Sequence, residues 1–325
     1  MATTVPPVVT VTRRLPAPVE AALAERFDCR FNASDEPLDA AGLRQALRSS
    51  DAVVCTVTDR IDAAVLGVEP VRTRLLANFG VGHEHIDLAA ARALGIAVTN
   101  TPGVLTDDTA DLAIALMLMA SRGLGSGERE LRAGDWAGWS PTHHLGQRFS
   151  GKTLGIIGMG RIGRAVARRA VHGFGMRLVY ACRTPLPAGE AALLDAVPLE
   201  LDAVFSAADV VSLHVPSNAA THHLVDRRRL ALMRRHGILI NTSRGGVVDE
   251  VALVEALERG EIAAAGLDVY EAEPRVSPGL LALDNVVLLP HLGSATVESR
   301  TAMGMRACEN LVAWSEGRPL PDRVG

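Results

Sequence analysis

Apolar residues fall into short runs separated by longer amphipathic stretches. In the first hundred positions the runs "VVTVT" (8–12), "AVVCTVT" (52–58), "LLANFG" (75–80) and "AVTN" (97–100) are β-branched or continuously apolar. Between them, "VEAALAERF", "AAGLRQALRSS" and "DLAAARALG" have helical composition and spacing. Strands apolar on both faces and alternating with helices predict a parallel sheet covered on both sides. The alternation breaks at "NTPGVLTDDTADLAIALMLMASRG": Pro102-Gly103 stops a strand, and Asp107 and Asp108 suit the positive end of a helix dipole. That helix is apolar nearly all round, which predicts burial between domains. A loop rich in Gly, Trp and Pro follows at 132–146. From 153 a second series begins, with strands "TLGIIG", "RLVYA", "DVVSLHV", "GILINTS", "AAGLDVY" and "NVVLLP" and helices between several of them. A long helical segment over 294–318 ends the pattern, and no solenoid repeat or low-complexity tract interrupts it.

Composition narrows the class. The 325 residues are 48% hydrophobic and 22% charged, the balance of a folded globular protein of two domains. A net charge of −4 favours neither nucleic acid nor an anionic membrane surface. The strongest apolar run, 112–120, is far short of the roughly 20 residues that span a bilayer. The first residues, "MATTVPPVVTVTRRLP", do not read as a signal peptide. Cys29, Cys55, Cys182 and Cys308 are scattered without C-x-x-C spacing, which suits reduced thiols and a cytoplasmic address. Lys152 is the sole lysine and lies in a loop leading into a strand, so Schiff-base chemistry is improbable.

The stretch "LGIIGMGRIGRAVARRA" (154–170) places Gly158, Gly160 and Gly163 between a buried strand and a helix. In that context G-x-G-x-x-G is a dinucleotide cradle. The first glycine permits the turn, the second lets backbone approach a pyrophosphate, and the third lets helix and strand pack closely. The helix N-terminus supplies free N–H groups and positive potential. In NAD-binding versions an acidic residue about 20 positions on accepts from the adenosine ribose. Here that position is Cys182, followed by Arg183. No carboxylate repels a 2′-phosphate and a guanidinium is at hand to bind it, so NADP(H) is preferred, with NAD(H) possible.

The expected architecture is therefore two doubly wound parallel-sheet α/β domains, a Rossmann cofactor domain and a flavodoxin-like substrate domain, with a cleft between them. The substrate domain is discontinuous, 1–103 with 293–325, and the cofactor domain is 104–292. The two crossings would act as a hinge.

Open parallel sheets bind ligands at the carboxyl ends of their strands. Arg244 directly follows "GILINTS", "GLDVYEAEP" puts Asp268 and Glu273 at the end of the next strand, and His291 follows "NVVLLP". These segments resemble the D-isomer-specific 2-hydroxyacid dehydrogenases. The segments "NFGVGHEHIDLAAARALGIAVTNTPGVLTDDTADLA", "GDWAGWSPTHHLG" and "YACRTP" resemble the glyoxylate/hydroxypyruvate reductase branch of that family. The likeness covers essentially the whole chain.

The resemblance implies a catalytic set of Arg244, Glu273 and His291. His291 would protonate the developing alkoxide, and Glu273 would favour the protonated imidazole and fix its tautomer. Arg244 would hold the substrate's carboxylate and carbonyl oxygens. The backbone of Val81 and Gly82 would donate to the same carboxylate, and Ser294 would contact substrate or stabilise the helix start. Asp268 would accept from the nicotinamide carboxamide. Further implied cofactor contacts are Gly160, Arg161 and Ile162 at the pyrophosphate, and Arg183 and Thr184 at the 2′-phosphate. Val215 and Pro216 would lie by the ribose, Thr242 near the nicotinamide, and Thr109 within reach of the cofactor. Trp139 resembles a tryptophan that enters a neighbouring subunit's substrate pocket, which implies a homodimer and a small substrate.

The expected activity is NADPH-dependent reduction of glyoxylate or hydroxypyruvate. The alternatives are a dehydrogenase for another 2-hydroxyacid or for phosphite, or a non-catalytic nucleotide-sensing module like the family's corepressors. No metal site is expected. Adjacent histidines (His143-His144, His222-His223) point apart on a regular element, and no carboxylate or cysteine pattern in the sequence completes a ligand set.

Overall fold

The computed structural model describes residues 5–325. Residues 1–4, which open the segment examined for a signal peptide, lie outside the described residues. The chain divides into two compact units: one runs to Leu105 and resumes at Ala295–Gly325, and the other is Thr106–Ser294.

The first unit holds five parallel strands: β1 (Val8–Val11), β2 (Asp28–Phe31), β3 (Ala52–Thr56), β4 (Leu75–Phe79) and β5 (Ala97–Thr99). Their order is β5-β4-β3-β1-β2, the flavodoxin-like winding, and a short C-terminal strand, Arg323–Val324, pairs antiparallel with β5. The central strands β3 and β4 are buried except for Thr56, as their apolar runs require. Strand β2 (DCRF) is not apolar and lies at the exposed edge, which is why the hydrophobic pattern does not reveal it. Asp39, Asp62 and Asp87 start three helices by accepting Gly42, Val65 and Ala90 N–H groups, at 2.7, 3.0 and 2.9 Å. The helix Val297–Ser315, capped by Thr296, packs on β4 and on the helix Ala17–Ala24.

The second unit carries seven parallel strands: β6 (Thr153–Ile157), β7 (Arg177–Ala181), β8 (Ala196–Pro198), β9 (Val210–Leu213), β10 (Ile238–Asn241), β11 (Ala264–Leu267) and β12 (Val286–Leu288). The order β12-β11-β10-β9-β6-β7-β8 is that of a Rossmann sheet. Winding reverses at β6, which pairs with both β7 and β9, so the ligand crevice of such a sheet lies beyond the carboxyl ends of β6 and β9. One face of the sheet packs Leu154, Ile156 and Ile240 against Met117 and Val166; the other packs Ile157, Val211 and Leu213 against Phe205 and Leu253. The helix Thr106–Arg122 lies on β10, β11 and β12 and against the helix Arg161–Phe174. These contacts within its own unit bury Ala113, Leu116 and Met117 and account for the apolar pattern. Strand β8 is a second exposed edge missed by the hydrophobic pattern. Among the described residues no helix is long and apolar enough to cross a membrane.

Candidate active site

The glycine turn after β6 has the shape that a dinucleotide requires. Gly158 has φ +97°, and a Cβ there would lie 2.5 Å from the His214 carbonyl oxygen. A Cβ on Gly163 would lie 2.2 Å from the Gly158 oxygen, so helix and turn meet only through glycine. Gly160 is different: nothing stands within 4 Å of where its Cβ would point, which leaves open space beside the backbone. Gly160 is also the N-cap of Arg161–Phe174, and no side chain caps that helix start. At the end of β10 the Thr242 hydroxyl is buried with no hydrogen-bond partner among the described residues. An open glycine turn, an uncapped helix start and an orphaned buried hydroxyl fit a bound dinucleotide.

Around this cradle, Arg161 is exposed and Ile162 half-buried on the first helical turn. Val215 is half-buried and Pro216 exposed beyond β9. Cys182 donates its thiol to the Thr184 carbonyl at 2.7 Å, which folds the chain after β7 so that Arg183 and Thr184 are exposed.

A second group gathers beyond β10, β11 and β12. His291 follows β12 and holds φ +56°, a left-handed conformation that a non-glycine residue rarely adopts. Its Nδ1 lies 2.8 Å from Glu273 Oε2. The other carboxylate oxygen, Oε1, accepts the Tyr270 N–H at 3.0 Å. Burial pushes the Glu273 carboxyl upward, but the hydrogen bond and charge of His291, the Tyr270 N–H and the Arg244 charge outweigh it and hold the group below the usual range.

Asp268 fixes the turn that carries His291. Its carbonyl accepts the His291 N–H at 3.0 Å, Oδ1 accepts Leu292 N–H at 2.6 Å and Oδ2 accepts Gly293 N–H at 2.8 Å. Burial raises the Asp268 carboxyl above its usual value, against the pull of these two N–H groups. The Thr109 hydroxyl donates to the Gly293 carbonyl at 2.8 Å, so this residue also braces the His291 turn. Ser294 follows, half-buried.

Arg244 is half-buried at the start of the 3-10 turn Gly245–Val247, and its Nη1 donates to the Ser243 carbonyl at 2.7 Å. The residues that shape this turn carried no role in the sequence reading. Buried Asn241 accepts the Ser243 N–H and hydroxyl at 3.0 and 2.8 Å and donates to the Arg244 carbonyl at 2.9 Å. Gly245 packs against backbone so closely that a Cβ would fall 1.8 Å from the Tyr270 carbonyl carbon. The Tyr270 hydroxyl donates to the Leu289 carbonyl at 2.8 Å, and Glu250 accepts the Glu271 N–H at 2.6 Å. The doubled glycine after an arginine was the only sequence signal for this packing.

In the other unit, the loop after β4 spends its carbonyls on side chains. Asn78 Nδ2 donates to Gly80 and Gly82 oxygens at 3.1 and 2.8 Å, and Asn100 Nδ2 donates to the Val81 oxygen at 2.8 Å. The N–H groups of Val81 and Gly82 have no acceptor among the described residues. Trp139 lies on the loop after the helix Leu124–Ala133 and is 83% exposed. On the same loop, His143 and His144 both reach Glu130, a carboxylate that the sequence reading did not bring to them.

Comparison with known proteins decides the family. Residues 114–293 match the family model described as D-isomer specific 2-hydroxyacid dehydrogenase, NAD binding domain. The chain belongs to this family. It is thus an NAD(P)-dependent 2-hydroxyacid dehydrogenase, and within the family its likeness is to the glyoxylate reductase branch. It is 45% identical to the glyoxylate reductase of Thermococcus litoralis over 286 residues, 87% of this chain and 86% of the relative. The structure of an NADPH-dependent glyoxylate/hydroxypyruvate reductase from Sinorhizobium meliloti, solved with NADP and malonate, superposes with a TM-score of 0.87 at 38% identity, covering 98% of this chain and 97% of that one. A glyoxylate reductase from Paecilomyes thermophila superposes with a TM-score of 0.86 at 33% identity, covering 98% of each chain.

Proposed function

We propose that this dehydrogenase uses NADPH to reduce glyoxylate and hydroxypyruvate to glycolate and D-glycerate. The observation that carries the reading is the His291–Glu273 pair, 2.8 Å apart on the turns beyond β12 and β11 of a Rossmann sheet. When bound, the reduced nicotinamide supplies the hydride that the carbonyl carbon accepts. The chain supplies the rest. Protonated His291 gives its Nε2 proton to the carbonyl oxygen as charge develops there. Glu273, ionised and held by Tyr270 N–H, fixes the Nδ1–H tautomer and stabilises the imidazolium. Arg244 binds the substrate carboxylate.

Asp268 uses each carboxylate oxygen for one N–H and keeps acceptor capacity for the nicotinamide carboxamide. Thr242, with Val215, Pro216 and Thr109, lines the rest of the cofactor's path. NADP(H) is selected over NAD(H) by Arg183 and Thr184, since Cys182 leaves no carboxylate to oppose the 2′-phosphate. The malonate and NADP complex of the Sinorhizobium relative supports a small carboxylate as substrate.

The protein acts as a homodimer in this reading. Leu131, Trp136, Trp139 and Leu145 are 61, 50, 83 and 75% exposed on one stretch of chain, an apolar surface that a second copy would cover. Four free thiols, with Cys55 and Cys308 buried, suit a cytoplasmic enzyme. The test is a panel of 2-ketoacids against NADPH and NADH, followed at the nicotinamide absorbance. The reading requires glyoxylate or hydroxypyruvate with NADPH to give the highest kcat/KM. No turnover with any 2-ketoacid would refute it.

A further inference from the structure

Outside the cofactor and catalytic groups, one set of side chains converges without a part in the reaction. Glu130 lies near the end of the helix Leu124–Ala133, and His143 and His144 lie on the loop that follows. His143 Nε2 is 3.0 Å from each oxygen of the Glu130 carboxylate, and His144 Nε2 is 2.5 Å from Oε2. One ligand atom from each residue lies within 4.8 Å of the others, the one such set of three among the described residues. We propose that Glu130, His143 and His144 form a binding site for a divalent transition-metal ion of the zinc type.

The sequence argument against a metal was that neighbouring histidines diverge. The structure removes its premise. His144 has φ +47°, and this left-handed residue swings the second imidazole to the side of the first. The rings meet edge to face with centroids 4.3 Å apart, and both Nε2 atoms face one carboxylate. The missing third ligand comes from 13 residues upstream, too far along the chain to read as a motif.

Two imidazoles and a carboxylate are a donor set for Zn(II), Co(II) or Ni(II), whereas Mg(II) and Ca(II) favour all-oxygen shells. Tetrahedral zinc with bonds of about 2.0–2.2 Å holds its ligand atoms about 3.3 Å apart. The separations of 3.0 and 2.5 Å to Glu130 are tighter than this, so the side chains must rotate apart to admit an ion. In the ion-free arrangement both Nε2 atoms must carry protons to donate to Glu130, and metal would replace those protons. In the single chain the side chains are 36, 35 and 25% exposed for His143, His144 and Glu130, enough for an ion to enter from solvent there. Beside them a cavity of about 460 Å³, lined by Trp139, Arg122 and Gln147 among others, leaves room for the remaining coordination positions. A bound ion would tie the loop to the helix and so fix the segment that carries Trp136 and Trp139.

The experiment uses the full chain without a histidine tag, stripped with EDTA and dialysed. Zn(II), Co(II) and Mg(II) are titrated by calorimetry, with Co(II) also followed by its visible absorption and Zn(II) by tryptophan fluorescence. One Zn(II) per chain, with no Mg(II) binding, is expected. Affinity should fall more than about 10²-fold in His143→Ala, His144→Ala and Glu130→Gln, beyond the 10–100-fold typical of losing a group that only orients a ligand. His223→Ala, in the other histidine pair, should retain it. Circular dichroism and NADPH turnover of each variant report whether it has folded. Absence of stoichiometric Zn(II) binding to the parent chain, or unchanged affinity in folded His143→Ala and His144→Ala, would overturn the proposal.

Discussion

At His291 three backbone-level restraints act on one residue. Its own N–H and the next two are all accepted by Asp268, and the backbone is held at φ +56°. A strained residue persists only where its surroundings over-determine it, and here they do. His291→Ala is expected to lower kcat by about 10² or more while leaving NADPH affinity unchanged, as measured by steady-state kinetics and fluorescence titration. Loss of cofactor affinity alone would argue against the assigned role. Arg183 is exposed after β7. On the proposed NADPH-selective reading, Arg183→Asp should reverse the kcat/KM preference towards NADH, since a carboxylate repels the 2′-phosphate and accepts from the ribose. The residues at strand ends were legible because apolar runs announce where strands stop. Asn241, Tyr270 and Glu250 were not, because their work is done through contacts with residues distant in the chain or with backbone atoms that leave no compositional mark.

Between elements, the turn bearing Arg244 rests directly on the segment leading to Glu273. Gly245→Ala would place a methyl group 1.8 Å from the Tyr270 carbonyl carbon, so one turn must move away from the other. A displacement of about 1 Å is enough to cost about 10²-fold in rate, and overpacking costs roughly 1–3 kcal/mol in stability. Kinetics and thermal melts of the variant check both. Asp209, at the start of β9, ties several elements together. It accepts from Thr153 N–H at 2.8 Å, Arg234 at 2.7 Å and His236 at 2.7 Å. Burial opposes its charge, yet these partners bring it from 3.8 down to about 2. A carboxyl depressed in the folded state stabilises above its unfolded value and loses that stabilisation as pH falls. The contribution is therefore whole near neutrality and fades between about pH 4 and pH 2. Asp209→Asn should lose on the order of 2–3 kcal/mol at pH 7 and show a shallower acid limb in denaturant melts. Two strands that sequence reading missed, β2 and β8, share one physical reason: an edge strand facing solvent has no need of an apolar run. The helix Leu124–Ala133 escaped for a similar reason, since it buries none of its residues and contains two glycines.

For the molecule as a whole, both sheets have windings that the alternation of strands and helices anticipates, and the reversal at β6 follows from where the glycine turn falls in the second series. The proposed homodimer rests on features that the fold of one chain does not require, the exposed Trp139 among them. Trp139→Ala should shift the protein from dimer towards monomer in sedimentation velocity and raise KM for the ketoacid, while the far-ultraviolet dichroism stays unchanged. The two units also differ in how the chain visits them. The second is one continuous stretch, Thr106–Ser294, whereas the first needs the helix Val297–Ser315 against β4 before its core is closed. During synthesis on the ribosome the N-terminal β-α segments must therefore wait, with one side of their sheet uncovered, until about 190 intervening residues have emerged. The nascent chain completes its middle before its beginning, and its earliest strands are the ones exposed longest to chaperones and to aggregation.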